Sequence, residues 1–362
     1  MARINPETSP DPYSPVISID AMGGDRGPAA VVAGIARAAR RHPGIRFVVH
    51  GDENELNRLL RKRRFLRGKF VVRHAGKTIT MNAKPSYALR NGEGTSMWSA
   101  IESVRKGESH AAVSCGNTGA LMAISMMRLR IAKGLNRPAI ACHWPSRNRS
   151  GTNILLDVGA DVRADENDLL CYAIMGSEYA RSGLGLKYPR IGLLNVGKEE
   201  HKGRKEIRSA FRMISESAEE HRYEFVGFVE GGDIPSDRVD VVVTDGFTGN
   251  VTLKSVEGTA ILIREFLGSA FRRSPMARVG ALLAYTSLRR LWMKIDPRRG
   301  NGGVFLGLNG TVVKSHGGAD AVAVAAAIEL AIRLARAGIS RKLGKSEKKS
   351  GVGDGKPALA SA

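Results

Sequence analysis

Five stretches of this chain set glycine beside side chains that bind small anions or move protons. In Asp20-Ala21-Met22-Gly23-Gly24-Asp25 the paired glycines let the backbone fold back and present bare N–H groups to an anion, just ahead of a helix expected from about Pro28. The same pair also serves as a plain structural turn, and it is not the GxGxxG of a dinucleotide site. Cys115-Gly116-Asn117-Thr118-Gly119-Ala120 leads into an apolar helix. Asn117 and Thr118 suit its cap, and free N–H groups at a helix start hold phosphate well. The third stretch, Asn195 to Gly203, gathers Lys198, His201 and Lys202. A lysine there neutralises a phosphate or the charge growing on a carbonyl oxygen, unless the run is only a solvated surface. Thr244-Asp245-Gly246-Phe247-Thr248-Gly249-Asn250 supplies a turn, a hydroxyl and an amide together. Last, Lys314-Ser315-His316-Gly317-Gly318-Ala319-Asp320 offers an imidazole to donate to phosphate or shuttle a proton.

Other chemistries lack their signatures. There is no GxSxG, no hydrolase order of Ser, His and Asp, and no GxxxxGK[ST]. Cys115, Cys142 and Cys171 show no CxxC spacing and no nearby His pair, so neither a zinc site nor a disulfide framework is expected. The pattern reads as phosphate handling without metal or cofactor.

The elements that must carry these stretches follow from periodicity. Short apolar runs (Val16–Asp20, Arg46–His50, Lys69–Arg73, Ala111–Ser114, Asn153–Asp157, Arg190–Asn195, Glu224–Val229 and Val239–Thr244) read as parallel strands buried on both faces. Helical patterns lie between them, over Ala29–Arg40, Glu53–Lys62, Ser96–Lys106, Ala120–Ala132, Asp165–Ser182, Lys205–Glu220 and finally Ala319–Ala337. That alternation predicts an α/β fold, a doubly wound α/β/α sandwich with a mostly parallel sheet. Ligands in such sheets gather beyond the carboxyl ends of the strands, so the five stretches are expected at one rim around one pocket. Residues 16–337 are expected to form a single catalytic domain, between a loose arm at 1–15 and a disordered basic tail at 338–362.

With a formal charge of +21, the chain attracts nucleic acid, anionic lipid or an acidic protein, and concentrates phosphate. No apolar run is long enough to span a bilayer, and the N-terminus does not read as a secretory signal. Residues 257–299 depart from the βα pattern: two helical stretches flank Arg272-Arg273-Ser274-Pro275. Leu282, Tyr285, Leu288, Trp292 and Ile295 recur at helical spacing, and nine basic residues stand against three acidic ones. Both a helix lying on an anionic membrane and a dimer interface fit this hairpin.

At the level of whole motifs the chain resembles the phosphate acyltransferase family known as PlsX. The matching stretches include ISIDAMGGDRGP (17–28), the segment 81–123 ending in SCGNTGALMA, LLDVGAD (155–161), LLNVGKEEHKG (193–203), the segment 228–258 with VTDGFTGN, and VKSHGGADA (313–321). They cover most of residues 16–337 in the family's order. Cys115, Asn91-Gly92-Glu93 and Lys198 depart from the usual residues. The resemblance implies transfer of a fatty acyl group from acyl-acyl carrier protein to inorganic phosphate, opening phospholipid synthesis. It also implies a phosphotransacetylase/isocitrate dehydrogenase-like fold, a homodimer, a cytoplasmic location at the inner membrane face, and a downstream membrane glycerol-phosphate acyltransferase. The acidic carrier suits the basic chain, and no nucleic-acid partner is expected. Similarity places phosphate and substrate binding at Asp20, Gly23, Gly24, Asp25, Asn117, Thr118 and Asp245, and catalysis at Lys202, Asn250 and His316. The alternatives are a phosphotransacetylase using acyl-coenzyme A, a non-enzymatic basic scaffold for lipid or nucleic acid, and a nicotinamide dehydrogenase, whose fingerprint is missing.

Overall fold

The computed structural model describes residues 14–295 and 302–339. Residues 1–13 of the expected arm and 340–362 of the expected tail lie outside the described residues, as do the side chains of Trp292 and Ile295. Among the described residues one 11-stranded sheet is formed by β1 (Val16–Asp20), β2 (Arg46–Gly51), β3 (Phe70–His74), β4 (Ala111–Ser114), β5 (Ala139–Pro145), β6 (Thr152–Leu156), β7 (Arg190–Leu194), β8 (Glu224–Val229), β9 (Val241–Val243), β10 (Gly303–Leu306) and β11 (Thr311–Lys314). Their spatial order is β3-β2-β1-β4-β11-β10-β5-β6-β9-β7-β8. Pairings are parallel from β3 to β11 and from β6 to β8. Between these blocks, β11–β10, β10–β5 and β5–β6 are antiparallel.

Three antiparallel steps are an odd number, so the two parallel blocks run in opposite directions. The expectation of a single rim is corrected here. The loops after β1, β4 and β11 leave one edge of the sheet, and those after β6, β7 and β9 leave the other. Sequence patterning identified the parallel strands but passed over β5, β10 and β11, the strands that set this reversal.

Strand residues alternate between two cores, as the pleat requires. Ile17, Ile19, Val113, Val313, Ile154 and Val241 face one core, while Ala112, Val312, Leu155 and Val242 face the other. The first is covered by α1 (Gly27–Arg41), α2 (Glu53–Arg61), α6 (Glu166–Leu184), α7 (Lys205–Glu216) and α11 (Ala321–Ala337). The second is covered by α3 (Pro85–Asn91), α4 (Ser96–Arg105), α5 (Thr118–Leu129) and the start of α8 (Gly246–Arg272). Burial on both faces explains the unbroken apolar runs.

Helix α8 has 27 residues, about 40 Å at the usual rise. Its start is pressed onto the loop after β6: a Cβ on Gly249 would overlap the Asp157 carbonyl, and one on Gly246 would overlap the Asp157 carboxylate. Beyond this turn the helix becomes exposed and continues through α9 (Pro275–Leu283), capped by Ser274, into α10 (Tyr285–Ile295). Pro275 thus restarts the helix. Phe266, Met276, Leu282 and Leu283 are each more than half exposed. No helix among the described residues is long and apolar enough to cross a membrane.

Two substitutions on α8 separate contact from propensity. Gly249→Ala is expected to destabilise the fold by about 1–3 kcal/mol, because backbone must move to admit the methyl group. Gly258→Ala, with open space around it, is expected to stabilise by up to about 1 kcal/mol. Urea unfolding of both variants checks the pair; equal effects would mean that the contact with Asp157 is not tight.

Candidate active site

Three loops at the first edge are interlocked around one buried carboxylate. Asp20, at the end of β1, is 1% exposed. It accepts hydrogen bonds from Ser114 Oγ of β4 (2.6 Å) and from the backbone N–H groups of Met22 (3.3 Å) and Gly23 (3.2 Å). Burial raises its pKa despite these donors. A Cβ on Gly23 would stand 2.6 Å from Asp20 Oδ2 and 2.8 Å from the Gly116 nitrogen. Gly24 has φ +99°, and a Cβ there would stand 2.9 Å from both Cys115 Cβ and the Gly317 carbonyl. Asp25 N–H donates to that carbonyl at 2.8 Å, which ties in the loop after β11. Glycine is required at position 24 on both conformational and steric grounds.

Asn117 caps α5, accepting from Ala120 N–H at 2.9 Å while its amide donates to the carbonyls of Met81 (2.5 Å) and Ala83 (3.0 Å). Thr118 is exposed in the first turn of α5, where the N–H groups of Thr118 and Gly119 have no intrahelical acceptor. His316 accepts from Gly318 N–H at Nδ1 (3.0 Å), so the neutral ring carries its proton on Nε2. Partial burial, then the charge of Lys254, lowers its pKa. Cys115 is buried and its thiol is pushed up to about 11, chiefly by desolvation, so it is not a thiolate nucleophile at neutral pH.

The second edge holds the other expected residues. Asp245 caps α8 by accepting from Thr248 N–H (2.8 Å), and its other oxygen pairs with Arg204 Nη2 at 2.5 Å. Asn250 donates to the Val158 carbonyl at 3.1 Å, over Gly159, whose φ is +127°. Lys202 pairs with Glu199 at 2.9 Å, which raises its pKa, and its carbonyl accepts from Asn195. Lys198 is turned aside to Asp233, at 3.3 Å.

The structure therefore brings Asp20, Gly23, Gly24, Asp25, Asn117, Thr118 and His316 together, and puts Lys202, Asp245 and Asn250 in a separate group. Helix α8 links the groups. Lys254, one turn beyond Asn250, depresses the pKa of both Lys314 and His316. The polar atoms of Asp20, Asn117 and Asp245 are occupied by the protein itself, so these side chains hold the loops in place. A cleft of about 450 Å³ beside α3, lined by Lys77, Thr78, Tyr87, Arg90, Asn91, Glu93 and Thr95, includes none of the expected residues. Among the described residues no group of three His, Cys, Asp or Glu is placed to hold a metal ion.

Residues 16–342 match the family model described as "Fatty acid synthesis protein". A phosphate acyltransferase of Dinoroseobacter shibae is 62% identical over 341 residues, 94% of this chain and 89% of the relative. One from a Jannaschia species is 65% identical over 328 residues, covering 91% and 90%. The chain belongs to the PlsX family of phosphate acyltransferases. It is an enzyme of acyl transfer to phosphate. Among solved structures it is similar in fold to phosphotransacetylases from Streptococcus pyogenes (TM-score 0.58, 15% identity, 89% of this chain and 94% of that one) and Staphylococcus aureus (0.56, 14%, 90% and 94%). At that identity the likeness concerns the fold alone.

Sequence reasoning missed Ser114, Arg204, Lys254 and Lys314. All four lie within or beside recognised motifs, but the groups that give them significance are distant in the chain. Ser114→Ala tests the buried carboxylate. Because burial raises Asp20's pKa, this group's stabilising contribution is full at low pH and is lost as pH rises through its folded value. Removing the hydroxyl raises that value further. The variant should lose about 1–3 kcal/mol at pH 7, and the deficit should shrink on acidification toward pH 4. A deficit independent of pH, in urea titrations, would detach Ser114 from Asp20.

Proposed function

We propose that the enzyme moves a long-chain acyl group from acyl carrier protein to inorganic phosphate, giving acyl phosphate for phospholipid synthesis. The observation that carries this reading is the first group of loops. Its loops are tied to one another, the Gly24 N–H has no backbone acceptor among the described residues, the first turn of α5 has free N–H groups, and His316 on the loop after β11 keeps its Nε2–H to donate. Such a cradle suits a small, highly charged oxyanion. Phosphate rests there on Gly24, Thr118 and the α5 amides, with Gly23, Asp20, Asp25 and Asn117 fixing the loops. A phosphate oxygen attacks the thioester carbonyl carbon, the C–S bond breaks, and the phosphate's own proton ends on the departing thiolate. His316 stabilises the oxyanion as charge moves from phosphate to carbonyl oxygen, while Lys202 and Asn250, at the other edge, hold the incoming acyl donor. No enzyme nucleophile is needed.

The family's description, fatty acid synthesis, supports a long-chain donor. The charge of +21 favours an acidic carrier. The exposed apolar residues of α8 and α9 supply a surface for an acyl chain, for a second copy of the chain, and for the cytoplasmic face of a membrane. Acyl phosphate would leave there for a membrane glycerol-phosphate acyltransferase.

The deciding assay mixes the protein with phosphate and either long-chain acyl-acyl carrier protein or the matching acyl-coenzyme A. Acyl phosphate should form at least about tenfold faster from the carrier, the difference one good charged contact gives; equal rates would favour the coenzyme A reading, and no product from either would sink both. Lys202→Ala should cut turnover at least about tenfold with the fold intact. Because His316's pKa lies below 6.5, its neutral donor form prevails at pH 7. At saturating phosphate, the loss of turnover on the acid side should set in only below pH about 6.5. An acid limb that survives unchanged in His316→Asn would belong to another group.

A further inference from the structure

At the end of β11, Lys314 stands opposite Ser114 of β4 and Gly303 of β10. Strand alternation turns its side chain to the Val312 side, the face on which Leu253 of α8 packs. There the amine is largely withdrawn from water. Desolvation brings its pKa from 10.5 down to about 8, with Lys254 pushing the same way. An ammonium has three N–H donors, and Lys314 spends one on the Ser315 carbonyl. No carboxylate among the described residues comes within ion-pair distance of it. Asp20 and Asp25 act on it only from farther away, Asp20's oxygens being held by Ser114, Met22 and Gly23. Glu257, the acid nearest along α8, is paired with Lys254 at 2.7 Å. Beside it, Ser315 is 1% exposed and its hydroxyl interacts with the Cys115 thiol.

A cation drawn out of water without a counter-ion is unfavourable for folding, and such an arrangement persists where an anion completes it. The occupant must be small, because the neighbouring loops are packed so closely that neither Gly23 nor Gly24 has room for a Cβ. We propose that Lys314 is a direct ligand of the substrate phosphate, its ammonium supplying the counter-charge that the interlocked loops lack. This deepens the reading that phosphate binds the first group of loops, and it rests on that reading. Lys314 thus holds the nucleophile from below the rim, while the Gly24 and α5 amides hold it from above.

The test uses the full chain with inorganic phosphate and no acyl donor. Phosphate should raise the melting temperature of the wild type by mass action. In Lys314→Met that rise should vanish over the same concentrations, and the KM for phosphate should increase at least tenfold while the KM for the thioester changes less than twofold. Without phosphate the variant should melt at or above the wild-type temperature, since an unpaired cation has been replaced by an apolar chain of similar length. On the wild type, phosphate should also protect Lys314 from an amine-acylating reagent, read by mass spectrometry, which keeps the idea falsifiable if the variant does not fold. A wild type that ignores phosphate would overturn the phosphate site itself. A wild type that responds, with an equal response in Lys314→Met or with unprotected labelling, would overturn the role of Lys314 alone.

Discussion

The three consecutive antiparallel pairings at the centre of the sheet are the constraint on which the rest depends. Loops that follow strands in the two parallel blocks must emerge at opposite edges, so neighbouring loops alone cannot build one site. A connecting element has to run back along the sheet, and α8 does so. It begins against Asp157 and Gly159 at one edge and carries Lys254 into the electrostatic range of Lys314 and His316. The close contacts at Gly246 and Gly249 fix where the helix starts, and hence which residues reach the other edge.

At the first edge the balance is between burial and hydrogen bonding. Burial opposes a charge on Asp20, whereas Ser114, Ser96 and the N–H groups of Met22 and Gly23 favour it. These donors come from β4, the start of α4 and the loop after β1, so keeping the carboxylate satisfied also keeps those segments together. The glycines reflect the same closeness from the steric side. At Gly24 a side chain would meet both Cys115 and Gly317, and its φ already disfavours one. The rigidity of this edge is thus a product of packing, and a rigid set of N–H groups is what oxyanion binding needs.

The parallel half of the fold was legible in the sequence because strands buried on both faces leave unbroken apolar runs; β1, β4 and β8 fall where those runs predict. Strand β10 has four residues and β5 reads Ala-Ile-Ala-Cys-His-Trp-Pro, neither a clear run nor a clear alternation. Their antiparallel pairing is a property of partners far along the chain. Glycine loops were legible for the same local reason as the strands. The functions of Asp20, Asn117 and Asp245 were not, since a carboxylate or amide after a strand serves as ligand or cap with the same residue type, and only the observed partners distinguish them. Lys314 was hidden in a recognised motif beside His316. Its significance comes from the helix lying over it and from the absence of a nearby acid, and neither is local in sequence.

These features favour a reaction in which the enzyme supplies position and charge and the substrate supplies the nucleophile. Cys115 stands in the middle of the loops, where a thiolate would be an attractive attacker, yet burial holds it as a thiol with a pKa of about 11. Cys142 is pushed up further, to about 12. Phosphate already carries negative oxygen at neutral pH, so it needs orientation more than activation. An array of amides, a neutral imidazole and lysines is suited to that task. It lowers the barrier as the charge shifts to the carbonyl oxygen, and it leaves no covalent intermediate to be hydrolysed.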